Sequence, residues 1–185
     1  MSIFTNPASA TPSEISAYVD ALLGLLGEQD PVQVLRETPV ALERFLETSP
    51  APILTIPEAP GKWSIREVMA HLADSELVGG FRLRIVLAHD RPALHGYDQD
   101  LWANRLRYRE VDVRDALEQF TMLRRANLRL WQNLGPADLV RVGLHNERGE
   151  ESLGHMRKLY AGHDLLHLRQ LERIRKAVQS AAQNH

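Results

Sequence analysis

The stretch LYAGHDLLHLRQLERIR, residues 159–175, has the spacing of a helix with one buried face. Extended outward, the residues that recur at intervals of three and four are Met156, Tyr160, His163, His167, Leu171, Ile174 and Val178. Ser152 is a suitable N-cap, so the sequence predicts a last helix from there to about Val178. His163 and His167 lie within the buried stripe, one turn apart, so their imidazoles can converge on one point.

Toward the N-terminus, turn and capping signals predict a first helical arm. The leucine-rich segment 17–26 is stopped by Gly27. Asp30-Pro31 has the pattern of an N-cap followed by proline at the first helical position, and Thr38-Pro39 repeats that pattern. We therefore expect an arm that is broken near Pro39 and ends by Thr48.

Two further long helices are predicted between the first arm and the last helix. Ser64 and Glu67 form a capping-box pattern, which opens a helix running to about His89. Asp112 is the expected N-cap of a third helix, which residues 135–136, Gly-Pro, bring to an end. The third helix has a stripe typical of a buried face: Leu117, Phe120, Leu123, Asn127, Leu130 and Leu134.

The segments between these helices have the composition of loops. Residues 49–61 contain four prolines, residues 91–104 form a long polar connection, and residues 142–151 form a polar loop. No block alternates apolar and polar residues as a half-buried strand would. The pattern predicts an all-α protein, a four-helix bundle in one domain over residues 1–185, with flexible ends at about 1–11 and 179–185.

Composition excludes several classes of function. The formal net charge of −2 argues against a broad nucleic-acid interface. There is no cysteine, so disulfides, thiolate metal sites and a cysteine nucleophile are excluded, and any metal must be held by His, Asp or Glu. No apolar run approaches the roughly 20 residues that span a membrane. The N-terminus shows no secretory signal, so the expected location is the cytoplasm.

The paired histidines need a third ligand to make a metal site. The best candidate is His71 in the second long helix, at the flank of that helix's buried stripe. A lone buried histidine is more often a core residue with a satisfied hydrogen bond, and that alternative stays open for the pair. The HDLLH segment is not a zinc-protease helix, because Asp164 stands where such a helix has its catalytic glutamate.

Three segments together resemble one family. They are KWSIREVMAHLADSE at 62–76, GYDQDLWA at 96–103, and the helix around the histidine pair. In combination they are similar to the DinB/YfiT-like superfamily of four-helix bundle proteins, over roughly residues 22–176. The resemblance implies an up-down-down-up bundle whose long crossover, between helices 2 and 3, corresponds to residues 90–110.

The resemblance also implies a metal site and a range of activities. By position, His71, His163 and His167 would hold one divalent ion per chain, nickel or zinc. Many members are homodimers. Some are S-transferases or isomerases that use low-molecular-weight thiols, and others are classed as hydrolases.

A metal held by three imidazoles keeps a coordination position open. Such an ion can lower the pKa of a bound water to about 7 or deprotonate a bound thiol. We therefore expect a metal-dependent hydrolase or a thiol S-transferase that acts on a small molecule. The alternative is a non-catalytic, stress-related binding module in which the metal is structural.

Candidate residues for substrate and catalysis surround the expected open position. Asp98 or Asp100 could act as a base or orient a substrate, Tyr160 could donate a hydrogen bond, and Tyr97 and Trp102 could contact the substrate. Asp98 could equally bond nearby backbone amides, Trp102 could pack on the end of the bundle, and Tyr160 could be a core residue.

Three other polar residues lie close to these positions in the predicted helices. We expect Glu76 on a solvated face and Asp164 on the surface or between helices, where it could also support a ligand imidazole. Asn127 lies within an apolar stripe, so it is expected to bond a buried group, such as a ligand histidine.

Overall fold

Four long helical segments make up most of the protein, whose structure, a computed structural model, describes residues 11–183. Over that range the α-helices are Pro12–Leu26 (α1), Pro31–Glu47 (α2), Ile65–Ala88 (α3), Gln99–Arg105 (α4), Val113–Trp131 (α5), Pro136–Leu139 (α6) and Leu153–Gln183 (α7). The four long segments are the first arm, made of α1 and α2, and the helices α3, α5 and α7. The predicted capping box opens α3, since the Ser64 hydroxyl accepts from the Glu67 amide and the Glu67 carboxylate accepts from the Ser64 amide. None of these helices is both long and apolar enough to cross a membrane.

The bundle has the predicted up-down-down-up order. Helices α3 and α5 run in the same direction. Val68, near the start of α3, clusters with Val113 at the start of α5, and Leu83, near the end of α3, clusters with Trp131 at the end of α5. These helices are therefore parallel, which is possible only because a long crossover separates them.

The other two helices of the bundle run the opposite way. His163 of α7 meets His71 of α3, while Met156 clusters with Leu83, so α7 is antiparallel to α3. The end of α2 contacts the C-terminal half of α7, where the guanidinium of Arg175 lies over the Phe45 ring. The fold class is confirmed.

The first arm breaks after Gly27 as predicted, but the second predicted break, near Pro39, is wrong. Helix α2 continues through Pro39, and the break lies at residues 27–30, where Gly27 adopts a φ of 54° that favours glycine. Proline inside a helix leaves the carbonyl four residues earlier without its amide partner. Here that carbonyl, on Leu35, accepts a hydrogen bond from Arg124 Nη1 at 2.8 Å, which explains why the helix can continue.

The prediction of a polar loop at 142–151 is wrong. Val142–His145 (β2) and Gly149–Ser152 (β3) form an antiparallel hairpin, which Gly149 closes with a φ of 76°. Ala93–Leu94 (β1), in the crossover, pairs in parallel with β2. This small sheet was not predicted because its strands are too short to show an alternating pattern. It fixes the crossover to the segment before α7.

The last helix extends further toward the C-terminus than predicted. Helix α7 extends to Gln183, so the predicted flexible tail is helical from residue 179 to residue 183. Thr11 caps α1, and the rest of the predicted flexible N-terminus lies outside the described residues.

Candidate metal centre

Three imidazole rings meet between α3 and α7. His71 Nε2 lies 3.2 Å from His163 Nε2, which lies 3.0 Å from His167 Nε2. His71 and His167 are buried and His163 is half-buried, and the three nitrogens lie within 4.8 Å of one another. Helix α3 is rotated so that its predicted flank faces α7, which brings His71 to the pair.

The three rings are neutral at physiological pH. Burial lowers the pKa of each histidine well below its usual value of 6.5, and the neighbouring imidazoles lower the pKa further. Neutral imidazoles are the form that binds a metal, so no proton has to be displaced from the cluster before binding.

The hydrogen bond of His167 fixes which of its nitrogens faces the cluster. Nδ1 lies 2.7 Å from the amide oxygen of Gln170, which can only accept, so Nδ1 carries the proton. The Nε2 lone pair of His167 therefore points at the other two rings. A hydrogen bond to His167 Nε2 would use the single N–H of His163, whereas a cation would be bound by the lone pairs of all three rings.

The spacing of the nitrogens suits one divalent ion. With metal–nitrogen distances of about 2.0–2.1 Å, neighbouring ligand nitrogens lie roughly 2.9–3.4 Å apart, depending on the coordination geometry. Two of the three separations, 3.0 and 3.2 Å, fall within that range, and the three ligand atoms all lie within 4.8 Å of one another. The ring of His71 is held by packing against Trp63, at a centroid distance of 5.0 Å.

A buried ionic network lies beside the histidines. Arg124 of α5 pairs with Glu76 of α3 at 2.8 Å and with Asp164 of α7 at 2.5 Å. Glu76 is 5% exposed, so its expected solvated position is wrong. Asp164 is an interhelical carboxylate paired with Arg124. Asn127 does bond a buried group, but its partner is the Glu76 carboxylate, at 2.8 Å, rather than a ligand histidine.

A pocket that is partly open to solvent borders the histidines through His163. Its walls come from α1, α3, α7, the segment from β1 to the first residue of α4, and the β2–β3 hairpin. The small sheet therefore matters for the site, because it places the crossover and the hairpin at the same pocket.

Two of the predicted substrate or catalytic residues line this pocket, Tyr97 and Tyr160. The Tyr97 hydroxyl lies 2.9 Å from Ser75 Oγ, which lies 3.3 Å from His71 Nε2. Burial raises the pKa of Tyr97 to about 12, so the phenol keeps its proton. Tyr160 packs against Gly79, where a Cβ atom would lie 2.6 Å from the tyrosine ring.

The other three candidates lie in the first turns of α4. Asp98 caps that helix, its carboxylate accepting from the Leu101 amide at 2.9 Å. Asp100 is exposed, and Trp102 packs on Tyr97 at a ring distance of 4.3 Å. None of the three is part of the pocket wall. Their proposed roles in substrate binding and catalysis remain predictions.

Sequence reasoning missed several residues of the pocket wall. Ser75 and Arg82 lie four and eleven residues after His71, a helical spacing that places them on the same side of α3. That signal was available. Tyr18 of α1 and Arg148 of the hairpin reach the pocket only through tertiary structure, so no local pattern could have indicated them.

Comparison with known proteins agrees with this geometry. The family model of the DinB superfamily matches residues 34–171. A Bacillus licheniformis protein is 27% identical over 175 residues, 94% of this chain and 92% of the relative. An Oceanobacillus iheyensis protein is 32% identical over 108 residues, 58% of this chain and 62% of the relative. Both are provisionally named metal-dependent hydrolases.

A solved structure is also similar. It is that of YfiT from Bacillus subtilis, described provisionally as a metal-dependent hydrolase with an unusual four-helix bundle topology. The TM-score is 0.70 and the sequence identity 26%, and the match covers 77% of this chain and 84% of YfiT.

Proposed function

The chain belongs to the DinB superfamily, and from that premise we propose that it is a metal-dependent hydrolase acting on a small molecule. One observation carries the proposal: three neutral imidazoles converge on one point beside a pocket. The names of the relatives, metal-dependent hydrolases, support the same reaction class.

His71, His163 and His167 would hold one divalent ion, nickel or zinc. When bound, the ion supplies a Lewis acid that lowers the pKa of a water or thiol at its open position. His163 is the half-buried member of the three and borders the pocket, so the open position would face the bound substrate.

The chain's own residues would bind and orient the substrate. The phenols of Tyr97 and Tyr160 border the pocket and can donate hydrogen bonds to a substrate oxygen. Tyr18, Val19 and Leu22 of α1 cover the pocket and would exclude water from it. Roles for Asp98, Asp100 and Trp102 would require a substrate that extends to the start of α4.

Thiol transfer is a second candidate for the same site. A low-molecular-weight thiol would then replace water as the nucleophile, so the pocket would have to hold two molecules. The pocket is partly open to solvent beside His163, so a thiol could reach the site from outside while a substrate occupies the pocket.

Metal analysis of untagged protein, purified without a nickel column, tests the proposal first. We expect about one zinc or nickel per chain in the wild type and almost none in His71→Ala or His163→Ala. His155→Ala, on the same helix, is the matched control and should keep its metal. A wild type that stays empty after metal is added would refute the site.

An activity assay distinguishes hydrolysis from thiol transfer. Ester and amide substrates are supplied with and without low-molecular-weight thiols, and turnover should require both the metal and His163. A rate that depends on the thiol indicates transfer, and one that does not indicates hydrolysis. Retained metal with no turnover, and unfolding on chelation, would instead support a structural metal in a binding module.

A further inference from the structure

Arg82 is a buried cation that lines the pocket without an acidic partner. It is 7% exposed. Its Nη1 donates to the Tyr160 hydroxyl at 3.4 Å, and its Nη2 donates to the carbonyl of His95. Both partners are neutral. Among the described residues no carboxylate lies within ion-pair distance of its guanidinium.

The two other inward-facing arginines near the site are neutralised. Arg124 pairs with two carboxylates, and Arg148 makes a two-point contact with Glu151 at 2.6 and 2.8 Å. Removing a charge from water is costly unless an opposite charge is near. Arg82 is therefore suited to take its counter-ion from a ligand.

The position of Arg82 relative to the histidines defines the shape of that ligand. Ser75 and Arg82 lie on the pocket side of α3, seven residues and thus about 10 Å apart along the helix axis. Val78 and Met156, both apolar, line the pocket as well. A ligand bound to Arg82 would extend past them toward His163.

The other charged groups of the pocket restrict the anion to a single charge. Glu147 and Glu151 also line the pocket. Glu151 forms an ion pair with Arg148, whereas Glu147 is attracted by Arg148 without forming an ion pair with it. A phosphate dianion would find a single cation outside an ion pair, Arg82, and its second charge would be repelled by the Glu147 carboxylate. A carboxylate matches the guanidinium geometrically and has a single charge.

Resting on the proposed function, we propose that the substrate is a small monocarboxylate, held by Arg82 at its charged end, with an apolar or uncharged body and its reactive group at the histidines. The carboxylate would accept hydrogen bonds from the guanidinium. The reaction would then take place at the opposite end of the molecule.

Titration calorimetry with hexanoate and its neutral analogue hexanamide, on protein as purified, tests the inference. We expect hexanoate to bind the wild type at least about tenfold more tightly than hexanamide, since charge-assisted hydrogen bonds contribute that much. Arg82→Gln should remove the preference while keeping the wild-type metal content. Arg82→Lys should retain part of it, and circular dichroism checks that both variants are folded.

His71→Ala separates this inference from the proposed function. It should still prefer hexanoate, because the anion binds Arg82 rather than the metal. A preference lost in His71→Ala but kept in Arg82→Gln would place the carboxylate at the histidines and overturn the inference. So would equal binding of the two probes by the wild type, no binding of either, or tighter binding of hexyl phosphate than of hexanoate. A wild type without metal refutes the proposed function but leaves the test of Arg82 intact.

Discussion

The hydrogen bond from His167 to Gln170 fixes the tautomer of His167. The amide oxygen of Gln170 accepts from Nδ1 at 2.7 Å and so keeps the lone pair of Nε2 within the cluster. Partners of this kind usually contribute about 10–100-fold to metal affinity. We expect Gln170→Ala to weaken metal binding by that factor, measured by competition with a chelator.

Gln170→Glu is the matched control for this effect. It keeps an acceptor for Nδ1, so its metal affinity should stay within a few-fold of that of the wild type. Equal affinity of Gln170→Ala and the wild type would show that packing alone orients His167.

His145 provides a pH test that is independent of the metal. It is buried, its Nδ1 accepts from the Glu147 amide, and burial followed by repulsion from Arg148 and Arg82 lowers its pKa to about 4. The unfolded chain therefore binds the proton first as the pH falls from about 6.5 to about 4. The contribution of His145 to stability is complete above that range and is lost within it.

The expected loss over this range is about 2 kcal/mol of unfolding free energy, after allowance for solvent screening. Urea denaturation at several pH values measures it, and His145→Asn, which keeps an acceptor for the Glu147 amide, serves as the reference. The difference between wild type and variant should fall between pH 6.5 and 4. A constant difference would contradict the low pKa.

At this scale the sequence predicted the histidines and not their surroundings. The interval between His163 and His167 is local, so the pair could be identified from one helix. His71 was the best candidate for the third ligand, but its position at the flank of a stripe left the rotation of α3 open, and the family resemblance supported the choice. Glu76 appeared solvated for the same reason, since its place opposite Arg124 depends on how three helices pack.

Among the elements, α3, α5 and α7 share one buried charge cluster. Arg124 of α5 bonds both Glu76 and Asp164, so replacing it leaves two buried carboxylates without a counter-ion. We expect Arg124→Met to lower the free energy of unfolding by about 3–5 kcal/mol, because breaking a buried ion pair costs that much. Urea denaturation at neutral pH is the measurement.

Arg125→Met is the control on the same helix. Arg125 is exposed, so its replacement should change stability by no more than about 0.5 kcal/mol. A loss below about 1 kcal/mol for Arg124→Met would mean that the carboxylates take up protons or water readily.

Helix boundaries followed from local signals, and strand pairing did not. Ser64, Asp30 and Asp112 cap helices in the structure as their sequence contexts predict. The sheet depends on Ala93 pairing with Leu144 across about fifty residues, which a reading of local patterns cannot detect. The pocket beside the histidines was unforeseen for that reason.

For the molecule as a whole, the core is large enough to fold without a metal. Two clusters of buried side chains extend along the bundle on either side of the histidines. We expect the chelated protein to keep its helical circular dichroism and to melt in one cooperative transition. Zinc at about 100 times its Kd should add about 2.7 kcal/mol, a rise in Tm of roughly 5–10 °C.

His163→Ala supplies the control for that shift, since its Tm should not respond to zinc. Loss of helical signal on chelation of the wild type would instead assign the metal a structural role. The all-α bundle was predictable from helix lengths, caps and one long connection, whereas the up-down-down-up order came from the family resemblance.

Pro39 links the first arm to the histidines in a way that concerns local opening. Without α5, the Leu35 carbonyl has no donor, so the middle of α2 is complete only while Arg124 is docked. Any fluctuation that withdraws α2 also frees one of the contacts that hold Arg124 between Glu76 and Asp164. In hydrogen exchange, the amides of α2 after Pro39 and those around Asp164 should therefore belong to a single opening unit, with a common protection factor.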